Sequence, residues 1–162
     1  MVLSDTIILQ GPTTTITDKE IIRWLNSFAR INYRAFAKEF FKAGSVFNPK
    51  KINELIKTDF KMFNFNSNKV GIAQFETVGM SDIMKNKDKI FEALNKIYVD
   101  DNYDLIGLLI SDITIQSSLF AVITKDVIKI NIPWPEIEKN IFELKGILSR
   151  KKQVVPVLSR IF

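Results

Sequence analysis

Three consecutive cations near the carboxyl end of the chain are the residues best suited to chemistry. They lie in the run Ser149-Arg150-Lys151-Lys152-Gln153, where a helix is predicted to begin. Cations are unfavourable at a helix start, by roughly 0.3–1 kcal/mol each, because the dipole is positive there. Cations and free backbone N–H groups together form a binding site for phosphate. The run therefore predicts either a phosphate site or a basic turn that is simply solvated.

Three further charged residues are candidates on weaker grounds. Asp5 follows an apolar residue, Lys61 lies within a phenylalanine-rich strand, and Asp112 follows a predicted buried strand. The carboxyl ends of strands often line binding sites in α/β proteins. Each of these residues also has a structural interpretation, because such aspartates commonly cap turns and a lysine on a strand is commonly solvated.

The composition excludes several kinds of chemistry. The 162 residues include neither histidine nor cysteine, which excludes serine–histidine triads, histidine bases, thiolate catalysis and most catalytic zinc sites. Carboxylates alone could still hold magnesium or manganese. The net charge of +5 suits an anionic partner. The cations are dispersed outside the run at 150–152, however, which argues against a nucleic-acid surface.

The elements that must position these residues follow an α/β pattern. We predict a helical N-terminal part and then a mixed β-sheet of about five strands flanked by helices. The predicted helices open at Thr17, with Thr17 and Glu20 in a capping box, and cover 33–42, 49–56, 81–98 and 151–162. The predicted strands cover 59–66, 69–78, 103–111, 118–124 and 127–130, and 136–148 is predicted to be a short helix and a loop. Aromatic residues at helical spacing are predicted to lie in the core.

Seven segments, in order along the chain, carry a family resemblance. They are Leu3-Ser4-Asp5-Thr6, Pro12-Thr13, Thr17-Asp18-Lys19-Glu20, Lys42-Ala43-Gly44, Asp59-Phe60-Lys61, Gln74-Phe75-Glu76-Thr77 and the closing segment from Gly146 to Pro156. They resemble the corresponding segments of the family II, manganese-dependent inorganic pyrophosphatases of the DHH superfamily. The resemblance covers nearly the whole chain and favours the phosphate interpretation of the cation run.

The resemblance implies a hydrolase divided between two domains. An N-terminal DHH domain would bind manganese, with magnesium as an alternative, and a C-terminal domain would bind the substrate. Asp5 would match a metal-binding residue, whereas Lys61, Arg150 and Lys151 would match substrate-binding residues. Residues 1–16 would be a junction segment from a missing catalytic DHH domain, and residues 17–162 the C-terminal substrate-binding domain. The whole enzyme would hydrolyse pyrophosphate to two phosphates, and this chain alone is expected to be inactive.

The resemblance also implies partners and a location. We expect pyrophosphate or phosphate and the DHH catalytic domain as partners, with neither nucleic acid nor a membrane, in the cytoplasm. Self-association into a homo-oligomer is expected if the face for the catalytic domain is uncovered. Two alternatives stay open, namely the C-terminal domain of a related exopolyphosphatase and a non-enzymatic phosphate-binding module.

Overall fold

A six-stranded mixed sheet forms the centre of the computed structural model, which describes residues 2–44, 47–129 and 131–162. The strands are β1 (Phe60–Phe65), β2 (Asn68–Thr77), β3 (Leu105–Asp112), β4 (Ser117–Thr124), β5 (Glu136–Glu138) and β6 (Ile141–Lys145). Their order across the sheet is β1-β2-β3-β4-β6-β5. β2 and β3 are parallel, and the other neighbouring pairs are antiparallel. The predicted mixed α/β fold is confirmed, with six strands instead of about five.

Short helices surround this sheet. They are α1 (Val2–Asp5), α2 (Ile16–Ala29), α3 (Tyr33–Gly44), α4 (Ile52–Thr58), α5 (Ser81–Met84), α6 (Lys87–Asp100), α7 (Asp126–Lys129) and α8 (Val155–Leu158). A 3₁₀ turn at Pro49–Lys51 precedes α4, and a π-helical turn at Arg150–Val154 precedes α8. Among the helices of the described residues, none has the length and apolar character needed to cross a bilayer.

The sheet has an apolar core on each face. On one face, Ile106 and Leu108 of β3 pack with Ile56 of α4 and Leu94 of α6. On the other face, Leu109 of β3 packs in a cluster with residues of the C-terminal segment, which include Val154 and Leu158. Every residue of β3 is buried, as expected for an apolar strand covered on both sides. The C-terminal segment is therefore held against the same face as the odd-numbered side chains of β1.

Helix α2 differs from its predicted form at both its start and its apolar side. The capping box joins Thr15 and Asp18 and not Thr17 and Glu20, because Thr15 is extended and its hydroxyl accepts the Asp18 N–H. The side chains of Trp24 and Phe28 are 62% and 70% exposed. The prediction that they lie in the core is thus wrong. We call the exposed residues Ile21, Trp24, Leu25 and Phe28 the α2 stripe.

The part of the chain from residue 81 to residue 148 contains three further corrections. The predicted helix over 81–98 is interrupted at Lys85 and Asn86, which separate α5 from α6. The predicted strand over 127–130 is helix α7 as far as Lys129, and its last residue, Ile130, lies outside the described residues. The segment 136–148 contains the antiparallel strands β5 and β6, because the buried side chains of β6 complete the sheet beside β4.

The predicted C-terminal helix over 151–162 is also different. Its first turn is the wider π-helical turn, and α8 ends at Leu158. Pro156 stands at the start of α8, where a missing N–H is tolerated.

Candidate functional site

The cation run forms a turn that is fixed by side-chain hydrogen bonds. The hydroxyl of Ser149 accepts the Lys152 N–H at 3.3 Å. The side-chain oxygen of Gln153 accepts the N–H groups of Leu148 and Ser149, each at 3.0 Å. Its amide nitrogen donates to the Gly146 carbonyl at 3.0 Å. Residues 149–153, which we call the cation turn, are therefore tied to the segment that precedes them.

Arg150 points into the protein and not into solvent. Its side chain is 4% exposed. Nη1 donates to the backbone carbonyls of Asp59 at 2.5 Å and Ile72 at 2.9 Å, and Nη2 donates to the Asp59 carboxylate at 2.8 Å. No described residue accepts a hydrogen bond from Nε, which is itself buried. Arg150 is thus anchored to β1 and β2 while part of its hydrogen-bonding capacity is unused.

Gln74 of β2 attaches the backbone of the cation turn to the sheet. Its side-chain oxygen accepts the Arg150 N–H at 3.1 Å, and its amide nitrogen donates to the Leu148 carbonyl at 3.2 Å. Gln74 and Asp59 therefore hold the backbone and the side chain of the same arginine. Neither residue was singled out from the sequence, although both lie within the segments that carry the family resemblance.

Lys61 and Lys151 are exposed, as is the neighbouring Lys152. Lys61 of β1 is opposite Ile72 of β2 in the antiparallel register, so both side chains point to the same face of the sheet. The carbonyl of that same Ile72 accepts a hydrogen bond from Arg150. The fold consequently brings the strand position of Lys61 to the anchor point of the cation turn.

Asp5 lies at the end of α1 and is exposed. Its carboxylate accepts a hydrogen bond from the Ser4 hydroxyl at 3.3 Å. Ser4 lines a groove of about 430 Å³ together with Asp59, Gln74 and Glu76. Across residues 2–44, 47–129 and 131–162, no three aspartate or glutamate residues are grouped so as to bind a metal ion. Asp5 can therefore supply a carboxylate ligand, but a complete metal site needs ligands from elsewhere.

The groove beside the cation turn carries negative charge. Burial raises the pKa of the Glu76 carboxyl above its ordinary value, and the nearby charge of Asp59 raises this pKa further. A hydrogen bond from the Gln74 amide acts in the opposite direction. Asp59 and Glu76 thus make the groove itself unfavourable for an anion.

Asp112 has a structural role, because its carboxylate is occupied by hydrogen bonds within two loops. Its carboxylate accepts the Gly79 N–H at 3.0 Å and both the N–H and the hydroxyl of Thr114, at 2.8 and 2.6 Å. These bonds fix the loops that follow β2 and β3. The structure thus assigns Asp112 to loop geometry, apart from the cation turn.

Comparisons with known proteins identify the family of the chain. The model of the DHHA2 domain family matches residues 38–161. The manganese-dependent inorganic pyrophosphatase of Methanocaldococcus jannaschii is 39% identical over 165 residues, which cover 99% of this chain and 53% of that protein. The manganese-dependent inorganic pyrophosphatase of Bacillus subtilis is 35% identical, covering 98% of this chain and 52% of that protein. The chain thus spans about half the length of these curated relatives.

A solved structure extends the similarity to the fold. A crystal structure described as a family II inorganic pyrophosphatase of Methanococcus jannaschii superimposes with a TM-score of 0.83 at 38% identity. The match covers 99% of this chain and 53% of that one. Because the family model matches more than half of the residues, the chain belongs to the DHHA2 domain family.

Proposed function

We propose that this chain is the substrate-binding C-terminal domain of a manganese-dependent inorganic pyrophosphatase. In this proposal a catalytic DHH domain makes up the rest of the enzyme, which hydrolyses pyrophosphate to two phosphates in the cytoplasm. The similarity to pyrophosphatases over 99% of the chain supports the substrate class. The coverage of only 53% of that relative supports a second domain.

The observation that carries the proposal is the placement of the cation turn. Arg150 fixes the turn against the sheet, while Lys151 is exposed and Lys61 is paired in register with Ile72, whose carbonyl accepts a hydrogen bond from Arg150. Pyrophosphate is a compact polyanion, and cations from two separate elements can contact both of its phosphoryl groups. Lysine supplies a mobile point charge, and arginine supplies a planar fork for two oxygens.

Lys61, Arg150 and Lys151 have the role of stabilising substrate charge in this proposal. As the bridging P–O bond breaks, negative charge increases on the leaving phosphate, and nearby cations lower the energy of that state. Because the turn is already tied down by Gln74 and Gln153, little reorganisation is needed when charge develops. In this proposal the chain binds pyrophosphate and stabilises the charge on the leaving phosphate, and the catalytic domain directs the attack of water on phosphorus.

Asp5 is the proposed contribution of this chain to the metal site. Its exposed carboxylate could bind manganese beside ligands of the catalytic domain, with magnesium as an alternative. When bound, such a metal activates a water and offsets phosphoryl charge. We accordingly propose that residues 1–16 form the junction with that domain and that residues 17–162 form the substrate-binding part.

Helix α2 supports the proposed partner. The α2 stripe exposes Ile21, Trp24, Leu25 and Phe28 at helical spacing, and α2 lies before the segment matched by the DHHA2 family. An apolar row of this kind usually packs against protein. The relatives are about twice as long as this chain, so we assign the stripe to contact with the catalytic domain.

Calorimetry on the whole chain tests the binding role. Pyrophosphate is titrated with manganese present into the wild type, Lys151→Ala and Lys61→Ala. We expect saturable binding that each substitution weakens about tenfold, since each removes a charge-assisted contact. Lys96→Ala, the same change at an exposed lysine of α6, should leave the affinity unchanged. An equal loss of affinity in Lys96→Ala would mean that net charge alone causes the effect. Absence of saturable heat would refute pyrophosphate binding by this chain.

Turnover tests the division between domains. The chain alone should give no continuing heat after binding, whereas a fusion to the catalytic half of the Bacillus subtilis relative should release phosphate from pyrophosphate. Turnover by the chain alone would contradict the proposal. Tripolyphosphate is the comparison substrate, because a strong preference for it would favour a related exopolyphosphatase.

A further inference from the structure

Two of the N–H groups of Arg150 have no acceptor among the residues that the structure describes. A guanidinium carries five N–H groups, and three of them are used by Asp59 and Ile72. The remaining two belong to Nε and Nη2, which are bonded to the same carbon and can reach two oxygens of one phosphoryl group. Nε is buried without a described partner. Such an orphaned donor is rare in a protein interior and calls for a ligand or a water.

Asp59 determines which part of the guanidinium stays unused. It bonds Nη1 through its carbonyl and Nη2 through its carboxylate, at 2.5 and 2.8 Å. Its side chain is 46% exposed, whereas that of Arg150 is 4% exposed. The carboxylate therefore offsets a buried cation and fixes its rotation at the same time.

We propose that Asp59 is a positioning residue, which holds Arg150 by Nη1 and Nη2 and directs its Nε–H and second Nη2–H to one phosphoryl group. This inference rests on the proposed pyrophosphate binding and adds to it a residue and an orientation. Nε has no contact with solvent in the described conformation, so this orientation also requires that neighbouring side chains move aside when the anion binds. The side chain of Gln74 accepts the Arg150 N–H, which holds the backbone of the cation turn in place.

The direction in which removal of Asp59 changes pyrophosphate affinity distinguishes a positioning role from a purely electrostatic one. A carboxylate near the site repels pyrophosphate, so its neutralisation by itself would tighten binding. Loss of positioning has the opposite effect, because Arg150 would no longer present the Nε edge. Asp59→Ala removes the charge together with the acceptor of Nη2 and keeps the backbone carbonyl, so the two effects act on it with opposite signs.

The test combines NMR of the arginine side chains with calorimetry on the full chain. Wild-type protein labelled with ¹⁵N-arginine is titrated with pyrophosphate and magnesium, and the Nε–H signal of Arg150 is assigned among the five arginines by its loss in Arg150→Lys. We expect this proton signal to move downfield with the same saturation curve as the calorimetric binding. Pyrophosphate affinity should fall about tenfold in Asp59→Ala and also in Arg150→Lys, which keeps the charge but lacks the fork.

Asp82→Ala is the matched control, because Asp82 of α5 is an exposed carboxylate paired with Lys85. It should bind pyrophosphate like the wild type. The inference is overturned if Asp59→Ala binds as tightly as the wild type or more tightly, or if the wild-type Nε–H signal does not move while pyrophosphate binds. The wild-type signal decides the matter even if Asp59→Ala fails to fold. Absence of saturable binding by the wild type refutes the proposed function itself, and the inference with it.

Discussion

The fold opposes the ionisation of Glu76, and this has a measurable consequence for stability. Because burial and Asp59 raise the pKa of Glu76 in the folded chain, the protonated carboxyl favours folding. This contribution is complete below the unfolded pKa and is lost as the pH rises through the raised folded pKa. We therefore expect Glu76→Gln to raise the free energy of unfolding at pH 7 by roughly 0.5 kcal/mol, a small value because solvent screens the partly exposed group.

Urea unfolding at pH 5 to 8 measures this effect. The gain from Glu76→Gln should grow with pH over this range. Glu143→Gln, at a carboxylate that pairs with Lys145, should give no gain. A loss of stability in Glu76→Gln at pH 7 would mean that the ionised carboxylate is favourable in the fold.

The hydrogen bonds of Gln153 lead to a second prediction at the residue scale. Gln153→Leu removes the acceptor for two N–H groups and the donor to Gly146. We expect a loss of about 1–3 kcal/mol in the free energy of unfolding, because partly buried polar groups lose their partners, together with weaker pyrophosphate binding. Gln10→Leu, at an exposed glutamine before α2, should change neither quantity. Unchanged affinity in Gln153→Leu would show that the cation turn holds its shape without this side chain.

Local and distant contacts explain which features of the site were predictable. Residues 149–153 were recognisable as a basic turn at a helix start, because the Ser149 cap depends on a neighbour three residues away. The burial of Arg150 was not predictable, since its partner Asp59 is 91 residues distant. Two assignments stay predictions. They are the substrate-binding role of Lys61, Arg150 and Lys151 and the metal-binding role of Asp5.

At the scale of the elements, the close contact between β3 and β4 gives a sharp test. A Cβ at Gly107 would lie 2.3 Å from a ring carbon of Phe120, a fully buried residue of β4. Gly107→Ala should therefore lower the free energy of unfolding by about 1–3 kcal/mol, since the packed sheet has little room to adjust. Gly44→Ala is the matched control, because nothing described lies within 4 Å of the added carbon. Chemical denaturation of both variants measures the difference, and equal stabilities would indicate that Phe120 moves aside at little cost.

The helices and strands differ in how clearly the sequence predicts them. The apolar run of β3 predicts a central strand, and the structure confirms it. The β5–β6 hairpin was missed because its charged residues resemble a helix surface, whereas buried Ile141, Phe142 and Leu144 are stabilised by the distant strand β4. Tertiary packing outweighs local propensity in such a segment.

At the scale of the whole molecule, the α2 stripe predicts a dependence on the partner domain. A double variant that carries Trp24→Gln and Phe28→Gln should keep nearly the melting temperature of the wild-type chain, because both side chains are mostly exposed. Binding to the separately produced catalytic half of the Bacillus subtilis relative should weaken at least tenfold, as two large aromatic contacts are lost. Analytical ultracentrifugation of the mixture measures this.

The matched control for the stripe replaces exposed apolar residues elsewhere. Val99→Gln with Ile115→Gln changes side chains that are 65% and 66% exposed and should bind the catalytic half like the wild type. Equal weakening in both double variants would indicate a general effect of surface polarity. Strong binding by the Trp24 and Phe28 variant would remove the stripe from the interface.

The exposure of the stripe also shows a limit of sequence patterns. Ile21, Trp24, Leu25 and Phe28 have the spacing of a helix packed on a core. The same spacing suits a helix whose apolar side faces another domain, and the pattern alone does not distinguish the two. The sequence therefore predicted the helix correctly and the environment of its apolar side incorrectly.

The anchoring of Arg150 to Asp59 has a consequence for protein synthesis. The two residues are 91 positions apart, and the ribosome releases Asp59 and β2, which carries Gln74, long before it releases the cation turn. The sheet can begin to assemble on the nascent chain, but the proposed anion site is completed only when residues 149–153 have left the ribosome. Ribosomes stalled at successive positions should therefore carry chains that acquire pyrophosphate binding in one late step.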